Sequence, residues 1–324
     1  MPATLAASLG LDDLKFFVDV FGGGSASHSI VGQAAMAVAS GVANYVVCYR
    51  ALNARSEFRM GGSGRPAPDQ AEFQYQAPYG YLAPPQQFAM AARAHMLEYG
   101  TTHQQLGQIA VQQRANAVDN ERALMRKPIT LDDYFASRWV VEPFRLFDCC
   151  LETDGAVALL VTTPERARDL RKLPVSISAA AWGAGQTLYG DPLATRTAAA
   201  RMAPRLFEMA GVGPADIDVA ELYDCFTYSV VVQLEDYGFC AKGEGGPFAA
   251  SGALAKDGAL PVNTHGGFLS EGYVHGLNHV CEAVSQLRGE AGVRQVEGAE
   301  LALSTSQPGY VAGNTSALIL SKGP

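Results

Sequence analysis

The stretch Ile217–Phe226 reads IDVAELYDCF and is the most informative part of this chain for its fold. Its first six residues predict a buried strand, and Phe226–Tyr237 continues with the spacing of a helix. A second stretch, Ser270–Gly276 (SEGYVHG), follows a glycine turn and also opens onto an apolar-periodic helix. In α/β enzymes, side chains between a strand and the next helix face the ligand. We therefore expect the functional groups of this chain in these two stretches.

Strands and helices alternate along the chain, which indicates a layered α/β architecture. The predicted strands are 45–49, 156–161, 175–178, 217–222, 300–304 and 315–320, and predicted helices include 29–41, 197–210 and segments beginning near Pro84, Thr102 and Thr130. A charged seam with a proline, Lys172–Pro174, predicts two halves, residues 1–173 and 174–324. Residues 51–83 are rich in glycine, proline and arginine without a clean period, and predict a long loop.

Composition narrows the class of protein. The chain has 324 residues, a hydrophobic content of 48%, a charged content of 17% and a net charge of −8. It contains no lysine/arginine run, which argues against nucleic acid as a partner. It has no apolar stretch of the roughly 18 residues that span a bilayer, and residues 1–5 lack the charged and apolar regions typical of a signal peptide. Six cysteines without CxxC spacing predict buried free thiols in a cytoplasmic protein, and no zinc site built by this chain alone.

Five segments resemble, in order, those of the sterol-carrier-type branch of the thiolase superfamily. Residues 34–47 resemble the helix and strand after the nucleophile loop, Asp148–Ala156 the Cys-Cys-Pro-Thr-Ser-Asp-Gly-Ala segment, and Asn263–Gly267 the Asn-Pro-Ser-Gly-Gly turn. The two tyrosine stretches resemble the His-Asp-Cys-Phe and Gly-His-Pro segments. The resemblance implies a thiolase-like layered αβαβα fold of two similar halves. Family members begin with one more strand-helix-strand unit, so we expect that this first unit is missing from the sequence.

The resemblance places the nucleophilic cysteine of thiolases at about residues 24–28, where this chain reads GSASH. The second thiolase cysteine would fall near Pro308-Gly309 and is also absent. Claisen chemistry needs a thiolate to carry the acyl group, so the sequence argues against it. Ser25 or Ser27 could replace the cysteine with His28 as base, but a base adjacent in sequence rarely has the right geometry. Glycine-rich packing is the simpler interpretation of this loop.

Tyr223 and Tyr273 stand where the resemblance places the two catalytic histidines of thiolases. A tyrosine after a buried strand is often a core residue with its hydroxyl hydrogen-bonded at the edge, and this alternative stays open. A phenol, with an ordinary pKa of about 10, can donate a proton and, when activated, accept one. With the resemblance, we interpret Tyr273 as the base and Tyr223 as the proton donor of one reaction.

The tyrosine pair resembles that of thiolase-like steroid side-chain-cleaving aldolases. This resemblance implies a lyase that performs retro-aldol cleavage of a β-hydroxyacyl-CoA, such as a steroid side-chain CoA thioester. The products would be a ketone and a short acyl-CoA such as propionyl-CoA. It also implies a homodimer within a heterotetramer, completed by an OB-fold partner subunit that binds zinc. No cofactor is expected in this chain itself, because the CoA thioester is the substrate.

Five residues are candidates for supporting the tyrosines, namely Asp224, His265, Gly267, His275 and Gly309. Backbone N–H groups of the Gly266-Gly267 turn and the 309–313 turn are expected to stabilise an enolate oxygen. His265 and His275 could also serve packing or helix capping. His275 and His279 have the i, i+4 spacing of metal ligands, but no third ligand is spaced to join them, so no metal is predicted. Arg55, Arg59 and Arg65 are candidates for CoA phosphates, or simply solvated loop charges.

Two other functions remain open at this point. The chain could be a non-catalytic subunit that binds acyl-CoA or lipid and lost its activity with its cysteine. It could also be an acyltransferase that uses a serine. Binding without turnover would indicate the first, and a trapped acyl-serine would establish the second.

Overall fold

The structure, a computed structural model, describes residues 2–20, 22–57, 71–81, 83–184, 195–310 and 313–323, without the side chains of residues 71–73. The helices in these ranges are α1 (Pro2–Ser8), α2 (Ser27–Ala39), α3 (Ala71–Gln76), α4 (Pro84–Tyr99), α5 (His103–Ala117), α6 (Leu131–Ala136), α7 (Pro164–Ala167), α8 (Ala198–Ala210), α9 (Thr227–Asp236), α10 (Gly245–Ala250), α11 (Gly267–Ser270) and α12 (Leu277–Leu287). The strands are β1 (Tyr45–Asn53), β2 (Trp139–Val141), β3 (Phe144–Arg145), β4 (Asp154–Thr162), β5 (Val175–Ala184), β6 (Val219–Glu221), β7 (Leu301–Thr305) and β8 (Asn314–Lys322). None of these helices has the length and apolar composition that crossing a bilayer requires.

Two sheets form the framework. β1 and β4 pair antiparallel, with Cys48 opposite Leu159. The second sheet has the strand order β5-β8-β7-β6, in which β6 runs parallel to β7 and the other neighbours are antiparallel. β2 and β3 form a separate short ribbon.

Helices α2 and α12 lie between the two sheets. Val31 and Val38 of α2, with Val280 of α12, belong to one buried cluster that also includes Val161 of the first sheet and Leu318 of the second. Helix α8 covers the other face of the four-stranded sheet, packing on β5 and β8. The order sheet, helices, sheet, helices confirms the layered α/β architecture expected from the sequence.

The parallel strands β6 and β7 direct several segments to one place. The carboxyl ends of parallel strands lie at the same edge of a sheet, and there β6 continues into Leu222–Phe226 before α9 begins. The backbone N–H of Tyr223 donates to Thr305 Oγ1 at the end of β7, at 3.0 Å. The 3₁₀ turn Gly23–Ser25 before α2 and the segment 271–276 before α12 reach the same edge.

Most predicted elements are present, with corrected boundaries. The capping box at Thr102 is confirmed, since its Oγ1 accepts from Gln105 N and its own N–H donates to Gln105 Oε1. The prediction of one loop over 51–83 was wrong at both ends. β1 continues to Asn53 because residues 51–53 pair with 154–156 of β4, and α3 occupies Ala71–Gln76. The glycine run 61–64, with Arg59 and Arg65, lies outside the described residues.

Candidate active site

Tyr223 is fixed on both sides of its peptide unit. Its carbonyl oxygen accepts hydrogen bonds from Ser229 Oγ and Gln233 Nε2, each at 2.8 Å, which tie it to helix α9. The preceding residue, Leu222, forms a two-way bond with the Asn263 side chain, at 2.7 and 2.8 Å. The Tyr223 ring is 2% exposed. Its hydroxyl therefore has a defined position at the edge of the four-stranded sheet.

Tyr273 approaches from the segment before α12 and meets Tyr223. Its backbone N–H donates to Thr153 Oγ1 at 2.9 Å, which anchors this segment to the start of β4. The hydroxyls of Tyr223 and Tyr273 are hydrogen-bonded to each other. The two rings are nearly perpendicular, with centroids 6.0 Å apart, and both contact Phe268 edge to face. The structure thus brings together the two tyrosines singled out in the sequence.

Both phenols are neutral over the physiological pH range. Burial, followed by the neighbouring Tyr273, raises the pKa of Tyr223 well above its ordinary value. Burial, followed by the nearby thiols of Cys150 and Cys225, raises the pKa of Tyr273 in the same way. A linked pair of neutral hydroxyls can accept a proton at one end and donate a proton at the other. Such a pair can move a proton without forming a free phenolate.

The loop before α2 places a bare glycine against the tyrosine pair. A Cβ atom added to Gly24 would overlap with the hydroxyl of Tyr223. The backbone of Gly24 is held in place, because its carbonyl oxygen accepts from Gln307 N at 3.1 Å. The Tyr223 hydroxyl therefore occupies the volume that a side chain at position 24 would need. The sequence marked this glycine-rich loop, but it gave no sign of which glycine touches the tyrosine.

His275 lies beside Tyr273 with an unusual backbone. Its φ is +56°, a region that residues other than glycine rarely adopt, and its ring is 5.0 Å from the Tyr273 ring. Arg50 Nε donates to His275 Nδ1 at 2.8 Å. Burial, followed by the Arg50 guanidinium, lowers the pKa of His275 to about 3. The sequence analysis did not single out Arg50. It could have been recognised as a charged residue on the inward face of the largely apolar strand β1.

His265 does not contact the tyrosines and lies in a buried charged cluster behind Phe268. Its Nδ1 is 3.0 Å from Glu221 Oε2, and its Nε2 is 3.4 Å from Glu271 Oε2 and 3.1 Å from His279 Nδ1. Burial lowers the pKa of His265, but Glu271 and Glu221 outweigh that effect and raise it to about 10. His265 is therefore an imidazolium that balances the carboxylates around it.

Asp224 belongs to the same cluster and binds backbone N–H groups of helix α11. Its carboxylate accepts from the N–H groups of Phe268 and Leu269, at 2.9 and 3.3 Å, and lies 3.1 Å from His279 Nε2. A Cβ on Gly267 would overlap with Asp224, so Gly267 is a packing position as well as a turn. Asp224 thus joins the residue after Tyr223 to helix α11, which leads to Tyr273.

The cluster contains a set of groups that the sequence did not bring together as metal ligands. One donor atom each from Glu221, His265 and His279 lies within 4.8 Å of the others. The sequence analysis considered His275 and His279 as a possible pair of metal ligands. In the structure His275 accepts a hydrogen bond from Arg50, whereas His279 contacts His265 and Asp224. An ion pair between protonated His265 and Glu221, and a hydrogen bond from His265 Nε2 to His279 Nδ1, account for these contacts. The expectation that this chain binds no metal remains a prediction.

Two of the expected backbone donors are already engaged. Gly266 N–H donates to Asn263 O at 2.8 Å. Gly309 N–H donates to Gln307 Oε1 at 2.9 Å. Positions 311 and 312 of the 309–313 turn lie outside the described residues.

Ser27 and His28 form a contact that sequence reasoning judged rare. Ser27 Oγ is 3.1 Å from His28 Nδ1, and His28 Nε2 is 2.7 Å from Ser304 Oγ. Burial, followed by His279, lowers the pKa of His28 to about 3, which makes it a weak base. Ser25 instead donates to the carbonyl oxygen of Gly22. No cysteine nucleophile replaces them among the described residues near the tyrosines, because burial raises the pKa of Cys150 to about 12 and that of Cys225 well above its usual range.

A second buried tyrosine pair was missed by the sequence analysis. The hydroxyls of Tyr228 and Tyr310 are 3.1 Å apart. Phe88 packs against both Tyr310 and Phe226, so this pair adjoins the active-site turn through aromatic contacts. The signal available was the position of Tyr310 directly after Gly309, in the turn already marked as functional.

Comparisons with known proteins show the family to which this chain is similar. The family described as "Thiolase C-terminal domain-like" matches residues 185–322. A 17-hydroxy-3-oxo-4-pregnene-20-carboxyl-CoA lyase of Mycobacterium tuberculosis is 43% identical over 98% of this chain and 84% of that protein. A steroid side-chain-cleaving aldolase of Thermomonospora curvata is 45% identical over 88% of this chain and 76% of that protein. A solved structure described as an Ltp2-ChsH2(DUF35) aldolase superposes with a TM-score of 0.89 at 42% identity, covering 98% of this chain and 83% of that one.

The contact between Gly24 and Tyr223 generates a test by double substitution. We expect Gly24→Ala to lower the free energy of unfolding by about 1–3 kcal/mol, because the methyl group displaces the Tyr223 ring. In a Tyr223→Ala background the same change should cost close to nothing, since the ring is gone. Denaturant unfolding of the four proteins measures both effects. Gly213→Ala is the control, because a Cβ there has only an ordinary contact with Asp216. Equal costs of Gly24→Ala in both backgrounds would show that the ring does not fill this space.

Proposed function

We propose that this chain, which belongs to the thiolase superfamily, is a carbon–carbon lyase that cleaves a β-hydroxyacyl-CoA by a retro-aldol reaction. The substrate is a steroid side-chain CoA thioester, and the products are a ketone and a short acyl-CoA such as propionyl-CoA. Relatives over 40% identical along most of the chain are a steroid-CoA lyase and a steroid side-chain-cleaving aldolase. The hydrogen bond between the Tyr223 and Tyr273 hydroxyls is the observation that carries the proposal.

In the proposed reaction, the tyrosine pair moves one proton from the substrate hydroxyl to the enolate carbon. Tyr273 accepts the hydroxyl proton while its own proton passes to Tyr223, and Tyr223 donates its proton to Cα. The Cα–Cβ bond breaks and its electron pair forms the enolate, while the O–H electron pair forms the carbonyl of the ketone. Both tyrosines end as neutral phenols, which is consistent with their raised pKa values.

The charged cluster supports this chemistry at a distance. Asp224 holds the backbone of α11, and through it the segment that carries Tyr273. His265 and Gly267 act as structural support of the same turn. The reacting phenols stay uncharged because burial raises their pKa values, and protonated His265 and the carboxylates lie behind Phe268. No cofactor is assigned to this chain, since proton transfer and enolate stabilisation are within the reach of its own side chains.

The quaternary arrangement is part of the proposal. A related solved structure is described as an aldolase of two named components, which supports a complex with a partner subunit. We expect that partner to have an OB fold with bound zinc, and two copies of this chain to form the core of a heterotetramer. The six cysteines are all unpaired, which is consistent with a cytoplasmic location.

An acyltransferase is the second candidate, and one observation favours it. The chain of contacts from Ser27 through His28 to Ser304 has the order of a nucleophile, a base and an orienting group. The low pKa of His28 argues against an effective base. Mass spectrometry after incubation with an acyl-CoA decides this point, since an acyl-serine adduct at Ser27 would establish the acyltransferase.

Turnover by tyrosine variants tests the proposed reaction. We expect the chain, together with its OB-fold partner, to convert 17-hydroxy-3-oxo-4-pregnene-20-carboxyl-CoA to a ketone and propionyl-CoA. Tyr273→Phe and Tyr223→Phe should each reduce kcat by about 100-fold or more, because either change interrupts the proton path. Product formation followed by liquid chromatography and mass spectrometry gives both rates. Tyr79→Phe is the control, since Tyr79 is 89% exposed. Undiminished turnover in either active-site variant contradicts the assignment, and tight binding without cleavage by the wild type favours a lipid-binding subunit.

The pH dependence tests the neutral relay. With both tyrosine pKa values well above 10, the hydroxyls stay protonated and the single-turnover rate should be level between about pH 6 and pH 9. A mechanism that needs the Tyr273 phenolate would instead accelerate about tenfold per pH unit over this range. Rapid-quench measurements across these pH values distinguish the two mechanisms.

A further inference from the structure

His275 places its second ring nitrogen beside the glycine turn that adjoins the tyrosines. A Cβ built on Gly23 would lie 3.7 Å from His275 Nε2, and Gly23 directly precedes Gly24, which underlies the Tyr223 hydroxyl. In the described ranges, the protein supplies no hydrogen-bond partner for Nε2, while the ring contacts Tyr273 and Nδ1 accepts from Arg50. His275 Nε2 and the Tyr223 hydroxyl therefore lie against neighbouring residues of one turn.

Arg50 determines which nitrogen of His275 carries the proton. A guanidinium has only N–H donors, so the bond from Arg50 Nε obliges Nδ1 to be an acceptor. In the neutral ring the single proton must then be on Nε2. Arg50 lies on the inward face of β1, and the described residues place no carboxylate in contact with the ring. The site thus holds a neutral N–H donor of fixed direction.

The backbone of His275 has a positive φ, which is energetically unfavourable, and in this conformation the ring lies beside Tyr273. A φ of +56° costs on the order of 1 kcal/mol for a residue other than glycine or asparagine, and such strain collects at functional sites. The neighbouring Gly276, at φ +95°, leaves room for Ser27 and His28. Two consecutive residues with positive φ, His275 and Gly276, therefore set the direction of the His275 side chain.

We propose that His275 donates its Nε2–H to the thioester carbonyl oxygen of the substrate, and that Arg50 is the positioning residue that fixes the donor. The inference rests on the proposed lyase function. Retro-aldol cleavage moves negative charge onto that oxygen as the enolate forms, and a fixed N–H donor stabilises the charge where it develops. The proton remains on Nε2 throughout, so no bond to His275 is made or broken.

Two backbone donors expected for this role are occupied. The N–H of Gly266 donates to Asn263 O, and the N–H of Gly309 donates to Gln307 Oε1. The hydroxyls of Tyr223 and Tyr273 are used by each other and by the proton that moves. Among the described residues, His275 is a side-chain donor beside the tyrosine pair whose direction is fixed by a second residue.

Substitution of His275 tests the donor by separating kcat from KM. His275→Asn suits the positive φ, so the fold should be kept, but its shorter amide leaves the Nε2 position empty. We expect kcat to fall about 100-fold with KM changed by less than about threefold, because the lost bond strengthens only in the transition state. His275→Gln restores an N–H at the reach of Nε2 and should recover at least about tenfold of that loss. A wild-type kcat in His275→Asn, or an equal loss in both variants, overturns the proposal.

Substitution of Arg50 tests the positioning role. Arg50→Met should lower kcat by about tenfold or more, while Arg50→Lys, which still donates to Nδ1, should retain most of it. The ¹⁵N shifts of the His275 ring give an independent readout: wild type and Arg50→Lys should show the Nε2–H tautomer, and Arg50→Met should show a mixture. Arg171→Met, at an exposed position, is the control. An unchanged tautomer in Arg50→Met contradicts the assignment of Arg50.

These experiments use the chain with its partner subunit and the same steroid β-hydroxyacyl-CoA. If the wild type does not cleave this substrate while it binds it, the proposed function fails and the donor is not the cause. If the wild type cleaves it and His275→Asn cleaves equally well, only the inference about His275 fails.

Discussion

The hydrogen bond between the hydroxyls of Tyr223 and Tyr273 is the interaction on which the site depends. A buried phenol left without a partner costs on the order of 1–3 kcal/mol, and here each phenol is the partner of the other. The end of β6 and the segment before α12 are therefore coupled through the same two atoms to which we assign the proton transfer. Gly24 has no side chain, which leaves the volume that the Tyr223 hydroxyl occupies. Phe268 packs edge to face against both tyrosine rings.

The charged network behind Phe268 and the neutral groups around the tyrosines are separate parts of this region. Asp224, His265 and the nearby carboxylates form one buried network, in which Asp224 holds the backbone of α11. Breaking such a network by removing one partner commonly costs about 3–5 kcal/mol, because another charge is left buried and unpaired. Both tyrosines and His275 are neutral, and the Arg50 guanidinium is the charged group that binds His275.

Much of the fold and part of the site could be predicted from the sequence. Helices and strands depend on local patterns, such as apolar runs and capping residues like Thr102. The elements and their order could therefore be predicted from the sequence. Tyr223 and Tyr273 were singled out because each stands before a helix, in a segment that resembles an active-site segment of thiolases. Arg50 could not be found in this way, because its role comes from a partner 225 positions away in the chain. The same holds for His265, whose neighbours make it a structural cation rather than a pocket residue.

The overlap between position 24 and the Tyr223 ring also constrains how such a chain can arise. In the present conformation the Tyr223 ring fills the volume that a side chain at position 24 would need, so a larger residue there displaces the ring at a cost in stability. Glycine at 24, in contrast, is compatible with a smaller residue at 223, which leaves only a gap. The effects of substitutions at the two positions are therefore not additive. In a lineage that gained the tyrosine, glycine at 24 before tyrosine at 223 is the order that avoids this cost.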